Sequence, residues 1–320
     1  MKFSTKKFGG KETQRNETLF TLANGNLGFR GDTEERSGTF HKGTYINGFY
    51  ESEPILYGES AYGYAQNHET ILNLPDPKVI EFEVDSVPFD MTDESRIKEF
   101  SLTLDTQKGT LERVTDWQNG DASLSLRSGR VVSFMHEDSA AIRYSIKNNS
   151  EKEVHINLQS YIDTTAKNIL AEDDPRIGAK FRHKVMEIQA EEKPLSFFAK
   201  TKNSDLKLAG TVLHKFFIDG IESEFDGERT FSLQSGGTFT LEKYICYVWS
   251  EKDGEDLLRQ KSGEGCKKVF DLGFDALLKE QEDFLSDFWR TASIQIEGDK
   301  ESEEALEFNL FHLLQSASRN

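Results

Sequence analysis

Within LANGNLGFRGD, Leu22 to Asp32, glycine falls at every third position: Gly25, Gly28 and Gly31. Glycine-rich loops cradle phosphate when backbone N–H groups converge ahead of a helix. A Walker-type loop needs G-x-x-x-x-G-K-[ST] before that helix, and no Lys-Ser or Lys-Thr stands here. A dinucleotide loop needs G-x-G-x-x-G between a strand and a helix, yet DTEERSGTFHKGTYINGFY follows without helical periodicity. Asp32, Glu34 and Glu35 would also oppose an anion. The glycines therefore point to backbone geometry rather than phosphate. Asn24-Gly25 predicts a tight turn of the hairpin kind, and Gly28 and Gly31 predict unusual backbone angles or close chain approach. Arg30 is expected to anchor nearby backbone by an ion pair or hydrogen bond.

The second chemical candidate is GTYINGFYESEPILYGESAYGYAQNHET, which holds Tyr45, Phe49, Tyr50, Tyr57, Tyr62 and Tyr64. Aromatic rings with polar tips suit interfaces, and sugars stack on them. The plain reading is a long loop packed on its own sandwich or on another domain. Arg30, Tyr45, Tyr57, Tyr62 and Tyr64 are the candidate sugar or interdomain contacts. Paired carboxylates do glycosidic acid–base work, and Glu51 with Glu53 or Asp173 with Asp174 could supply them. In a chain with 56 Asp and Glu such pairs carry little information, and solvated loops are the default. None of the seven histidines stands at metal-ligand spacing with another His or Cys, and no G-x-S-x-G elbow appears. No metal and no cofactor is expected.

The elements that would position these residues read mostly as strands. In KVIEFEVDSVPF, Ile80, Phe82 and Val84 alternate. AAIRYSIKNNSEKEVHINLQSYI reads as a hairpin, with Ile142, Tyr144 and Ile146 going out and Val154, Ile156 and Leu158 coming back. TFSLQSGGTFTLEKYICYVW repeats that pattern about Gly236-Gly237, and Leu102, Leu104, Leu124 and Leu126 mark further short runs. No long amphipathic helix is evident between Lys2 and about Trp249. The fold class predicted is mainly β, a large antiparallel sandwich followed by helical segments. Near Ser250 the period changes. Phe274, Leu277, Leu278, Gln281, Leu285 and Phe288 follow helical spacing, Ile294 and Ile296 alternate briefly, and a helix presents Leu306, Leu310, Leu313, Leu314 and Ala317 on one face. Phe308 and Phe311 lie off that face. A helix apolar on two sides needs cover on two sides, which suggests a chain cut at the start of a further helical domain. The plainer alternative packs this helix back on the sandwich.

Bulk properties narrow the partners. The net charge of −17 disfavours nucleic acid and anionic membranes but not a neutral sugar. Two cysteines give no disulfide framework, the first residues lack a secretory apolar region, and no run of about 18 apolar residues exists, so a cytoplasmic location is expected.

Taken together, ETLFTLANGNLGFRGD, GTYINGFY and ILNLPDPKVIEFEVD resemble the N-terminal part of glycoside hydrolase family 65, which includes maltose, trehalose, kojibiose and nigerose phosphorylases and some acid trehalases. FWRTASIQIEGD and ALEFNLFHLLQSASRN resemble that family's helical linker and the beginning of its catalytic domain. Glu307 departs from the family, which often has arginine there. The tyrosine-rich loop is more similar to the kojibiose and nigerose type than to the maltose type.

The resemblance implies a β-sandwich over residues 1–252, a helical linker with a short strand over 253–298, and the first helix of a truncated (α/α)6 barrel over 299–320. It implies that the catalytic glutamate and the phosphate site belong to the barrel, beyond Asn320, so no residue here is assigned a catalytic role. It implies inverting phosphorolysis of an α-glucosyl disaccharide to β-glucose 1-phosphate by the full-length protein. The implied partners are its own catalytic barrel, inorganic phosphate, the disaccharide and a second copy in a homodimer. A free-standing carbohydrate-binding module and the N-terminal domain of a trehalase-type hydrolase are the alternatives.

Overall fold

The computed structural model describes residues 1–55, 59, 61–168, 186–193 and 195–318. Tyr57, Asp173 and Asp174 lie outside them. The chain begins with β1 (Lys2–Thr5) and α1 (Gly10–Leu19), then β2 (Leu22–Ala23), β3 (Leu27–Phe29), β4 (Thr44–Ile46), β5 (Tyr50–Pro54), β6 (Asn67–Ile71), β7 (Ile80–Val84) and β8 (Val87–Pro88). The longer strands follow: β9 (Ile97–Asp105), β10 (Thr110–Asn119), β11 (Ala122–Val132), β12 (Ser139–Asn148), β13 (Val154–Ser160), β14 (Met186–Glu192), β15 (Leu195–Thr201) and β16 (Lys207–Ile218). Then come β17 (Ile221–Ser223), β18 (Glu228–Leu233), β19 (Thr238–Ser250), α2 (Glu255–Leu272), α3 (Phe274–Ala292) and α4 (Lys300–Ser316).

The main sheet has ten antiparallel strands in the order β1-β9-β10-β11-β12-β19-β16-β15-β14, with β17 pairing β16. A four-stranded sheet, β18-β13-β7-β8, faces it. Alternation explains the layering. Ile142, Tyr144 and Ile146 of β12 point into the core shared with Ile80, Phe82, Val84, Val154, Ile156 and Leu158. The intervening Ala141, with Tyr244 and Cys246 of β19, faces the other way and packs on Cys266, Val269, Phe274 and Leu277. Helices α2 and α3 thus cover the outer face of the main sheet.

The predicted hairpin of β12 and β13 is not one. The strands are correctly placed, but β12 pairs with β11 and β19, whereas β13 pairs with β7 and β18. The chain crosses from one sheet to the other at the turn, and it does so again between β18 and β19. The crossings lie side by side. Asn148 N–H donates to Gly237 O, Gly236 N–H donates to Asn148 O, and the Asn148 amide donates to Lys152 O, Leu233 O and Gln234 O. A hairpin and such an arch show the same alternation, because in both the apolar sides meet one core.

Helix α1 escapes an apolar-period reading because its buried residues are Asn16 and Glu17. Residues 293–299, expected to include a short strand at Ile294 and Ile296, form none. In α3 the buried positions are Phe274, Leu277, Gln281, Leu285 and Trp289, with Trp289 in place of the expected Phe288. In α4 the buried positions are Phe311 and Gln315, and Leu313 of the expected leucine face is exposed. The helix packs back on the sandwich through its phenylalanine side: Phe308 meets Phe3 edge-on at 5.1 Å, and the Gln315 carbonyl accepts from Ala23 N–H.

Candidate functional site

The glycine stretch forms the β2–β3 hairpin, with Leu22 opposite Phe29 and Ala23 opposite Gly28. Asn24 builds the turn. Its side-chain oxygen accepts from Asn26 N–H (3.0 Å) and Leu27 N–H (2.8 Å), while its amide donates to Ser133 O (2.6 Å) and Glu137 O (2.9 Å). One buried side chain thereby closes the turn and fastens it to the loop between β11 and β12. Gly25 has φ +90°, and a Cβ there would lie 2.1 Å from Ala317 O, just past α4. At Gly31 a Cβ would lie 2.8 Å from Phe20 O. Gly28 is looser, with Ala23 Cβ at 3.2 Å. The N–H of Gly31 donates to Glu17 O, and that of Asn24 to Leu27 O. These donors are spent on protein and no helix follows, so an anion finds no cradle here.

The acidic followers enter the core. Glu34 accepts from Arg130 Nε (2.6 Å), Ser128 Oγ (2.6 Å) and Arg113 (2.9 Å); Glu35 accepts from Arg113 (2.7 Å) and the Tyr144 hydroxyl (2.5 Å). Burial alone would push Glu34 up, but Arg130 and Arg113 outweigh it and hold its carboxyl down at about 2. Asp32 shows the opposite balance. Burial raises its pKa and Lys78, 3.5 Å away, does not overcome this, because Lys78 spends its donors on Asp76 (2.7 Å), Gly43 O and Thr44 Oγ1. Neither Asp32 side-chain oxygen has a hydrogen-bond partner. Lys243, also fully buried, donates to Val79 O and Tyr161 O, and burial pulls its pKa down to about 7 against the attraction of Asp76.

The structure brings two of the candidate contacts together. Arg30 and Tyr45 project on the outer side of the β2–β3–β4 sheet, where both side chains close over Gly43. Arg30 donates to Thr18 Oγ1 (3.0 Å) and lies 3.8 Å from Glu17, while its Nε has no partner. Its anchoring contacts are thus side chains of α1, not backbone. The Tyr45 hydroxyl lies 3.3 Å from His41 Nε2, and burial raises its pKa. Tyr62 and Tyr64 lie elsewhere, exposed in the connection from β5 to β6. Glu51 departs from the solvated-loop expectation. It is fully buried, and its carboxylate accepts the backbone N–H groups of Lys202, Asn203 and Ser204. It is a backbone anchor with no free lone pair for acid–base chemistry.

Sequence reasoning missed Glu17. Both its oxygens accept backbone donors, Phe40 N–H (2.5 Å) and His41 N–H (2.9 Å), and burial raises its pKa despite them. This fixes one wall of a cleft of about 360 Å³ lined by α1, residues 31–40 and residues 91–102. Among the described residues no group of three or more His, Cys, Asp or Glu is placed to hold a metal ion, and no helix is long and apolar enough to cross a membrane.

These features define a class: a large antiparallel β-sandwich with helices packed on its outer face, its charged groups used mainly to hold the fold. The sequence profile of the glycosyl hydrolase family 65 N-terminal domain matches residues 3–288, and the chain belongs to that family. An α,α-trehalose phosphorylase of Thermoanaerobacter brockii is 36% identical over 96% of this chain and 41% of its own length. A kojibiose phosphorylase of the same organism is 25% identical over 96% of this chain and 40% of its own length. A solved structure described as a putative kojibiose phosphorylase from human microbiome superimposes with a TM-score of 0.82 at 18% identity, covering 98% of this chain and 41% of that one. The chain spans about two fifths of the length of the relatives it matches.

Proposed function

We propose that this chain is the N-terminal, non-catalytic part of an inverting disaccharide phosphorylase, and that it braces a catalytic barrel. The family match over residues 3–288, in a chain that spans 41% of a trehalose phosphorylase, carries this reading. In an inverting mechanism one carboxylic acid protonates the glycosidic oxygen, and phosphate attacks the anomeric carbon from the opposite face in place of an activated water. Glu17, Glu34 and Glu51 spend both carboxylate oxygens on backbone N–H groups, arginines or a hydroxyl, which supports a structural role for them. Residues 1–252 serve as the sandwich, 253–298 as the linker and 299–320 as the first barrel segment. The exposed Leu313 and Ile294 and the outer side of β2–β3–β4, with Arg30 and Tyr45, are surfaces the barrel would cover. Greater identity to the trehalose enzyme than to the kojibiose enzyme makes α,α-trehalose the first disaccharide to assay.

The test is phosphorolysis of trehalose, maltose, kojibiose and nigerose by the protein with its downstream region, with and without inorganic phosphate. The expected result is phosphate-dependent release of β-glucose 1-phosphate from one of them, with none from residues 1–320 alone. Glucose release independent of phosphate assigns the trehalase-type reading instead. Turnover by residues 1–320 alone overturns both.

A further inference from the structure

The cleft beside α1 has a chemistry that the bracing role does not use. Its apolar wall includes Phe100 and Phe8, whose rings lie 4.9 Å apart, and at its rim Phe40 remains 55% exposed. Phe40 is held there rather than loose, because the buried Glu17 carboxylate takes its backbone N–H and that of His41. Opposite, the Glu94 side chain lies directly over Gly9. A Cβ on Gly9 would come within 2.3 Å of Glu94 Oε1, and Gly9 has φ +86°, so a backbone conformation reserved for glycine makes the room this carboxylate occupies. Glu94 pairs with no cation and no donor among the described residues. The Thr13 hydroxyl accepts from Gly9 N–H and keeps its own proton to donate. Among the described residues no Lys, Arg or His lines the cleft.

We propose that this cleft binds a neutral hexose, free or as the terminal unit of an α-glucoside. The apolar face of the pyranose lies on the Phe40 ring, adjacent hydroxyls donate to Glu94, and Thr13 donates to a further sugar oxygen. The size suits a small ligand, since such pockets begin at roughly 300 Å³. A cleft lined by Glu17, Asp32 and Glu94 and by no cationic side chain among the described residues disfavours phosphate and phosphorylated sugars. The site requires no catalytic barrel and stands whether the full-length protein is a phosphorylase or a hydrolase.

The test is isothermal titration of the 320-residue chain with D-glucose, maltose and α,α-trehalose, and with inorganic phosphate as a control. Saturable binding of at least one sugar in the millimolar range is expected, with none of phosphate. Phe40→Ala is expected to weaken it about tenfold or more, as loss of a stacking ring does. Glu94→Gln, which keeps the shape and removes the charge-assisted acceptor, weakens it several-fold. Tyr62→Ala leaves it unchanged. Both residues are exposed, and a melt of each variant verifies its fold. Loss in either variant with the melt retained supports the site. No saturable sugar binding, unchanged affinity in both variants, loss in Tyr62→Ala, or binding of phosphate overturns it. None of these outcomes bears on catalysis by the full-length protein.

Discussion

Glu34→Gln removes one negative charge from the buried network while keeping the side chain's shape. Arg130 then faces a neutral amide, and Asp32, raised by burial, does not replace the lost carboxylate. Breaking a buried pair from one side costs about 3–5 kcal/mol, because the remaining charge stays buried without compensation. Linkage gives an independent figure. The Glu34 carboxyl is held at about 2 against an ordinary 4.5, which is worth about 3 kcal/mol at about 1.4 kcal/mol per unit. The sign follows from a depressed folded pKa: the contribution is complete above the unfolded value and is lost as pH falls toward the folded one. Urea unfolding of wild type and variant should therefore differ by about 3 kcal/mol at pH 7, by about 2 near pH 3.5, and by less than 1 near pH 2.5. The other carboxylates titrate in both proteins and cancel in the difference. A deficit below about 1 kcal/mol at pH 7, or one that does not narrow on acidification, would refute the role given to Arg130 and Arg113.

Other consequences are as direct. Gly25→Ala adds left-handed strain of about 1–2 kcal/mol and drives a Cβ into Ala317 O, so hydrogen exchange at the end of α4 should speed up more than in the β12–β19 pair; equal protection in both would count against it. Gln281→Leu removes the hydrogen bonds that its side chain makes to Phe134 N–H and Val132 O, at about 1–3 kcal/mol for each buried bond, readable as a lowered urea midpoint. Lys243→Met removes an amine whose folded pKa is depressed to about 7. Its protonation penalises the native state increasingly as pH falls from the ordinary lysine value toward 7, so the variant should gain relative to wild type from pH 10 to pH 7 and level off below. A difference that is flat across that range would exclude the burial penalty.

The strands and the change of period near Ser250 were legible because they depend on local alternation, as in Ile80, Phe82 and Val84 or Phe274, Leu277, Gln281 and Leu285. Pairing was not. Whether the chain after Ile146 returns beside its own strand or crosses the core is decided by β7, β18 and β19, all distant in sequence. The same distance hid the fate of Glu34 and Glu35. The acidic residues of DTEER read only as groups that would oppose an anion, because the Arg113 and Arg130 that pair with them arrive from β10 and β11. Helix α1 stayed hidden because what it buries is an amide and a carboxylate, each answered by backbone groups outside the helix. On α4 the leucine pattern was right for Leu310 and Leu314, which pack on the core, but it missed that Phe308 meets Phe3, that Phe311 is fully buried and that Leu313 is left in solvent.

The glycine stretch thus joins parts of the fold that are far apart in sequence. Asn24 fastens the hairpin to the loop between β11 and β12, Gly31 lets it close against the end of α1, and Gly25 accepts the chain leaving α4. Gln315 adds a hydrogen bond from α4 to Ala23 in the same turn. Anything that continues past Ser318 therefore starts from a position set by this hairpin. A displacement of Gly25 by one bond length would re-aim that continuation, whereas the same displacement at the exposed Tyr62 would be absorbed by solvent. That asymmetry is the physical reason to look for interdomain coupling at Asn24, Gly25 and Arg30 before looking for it in the tyrosine-rich loop.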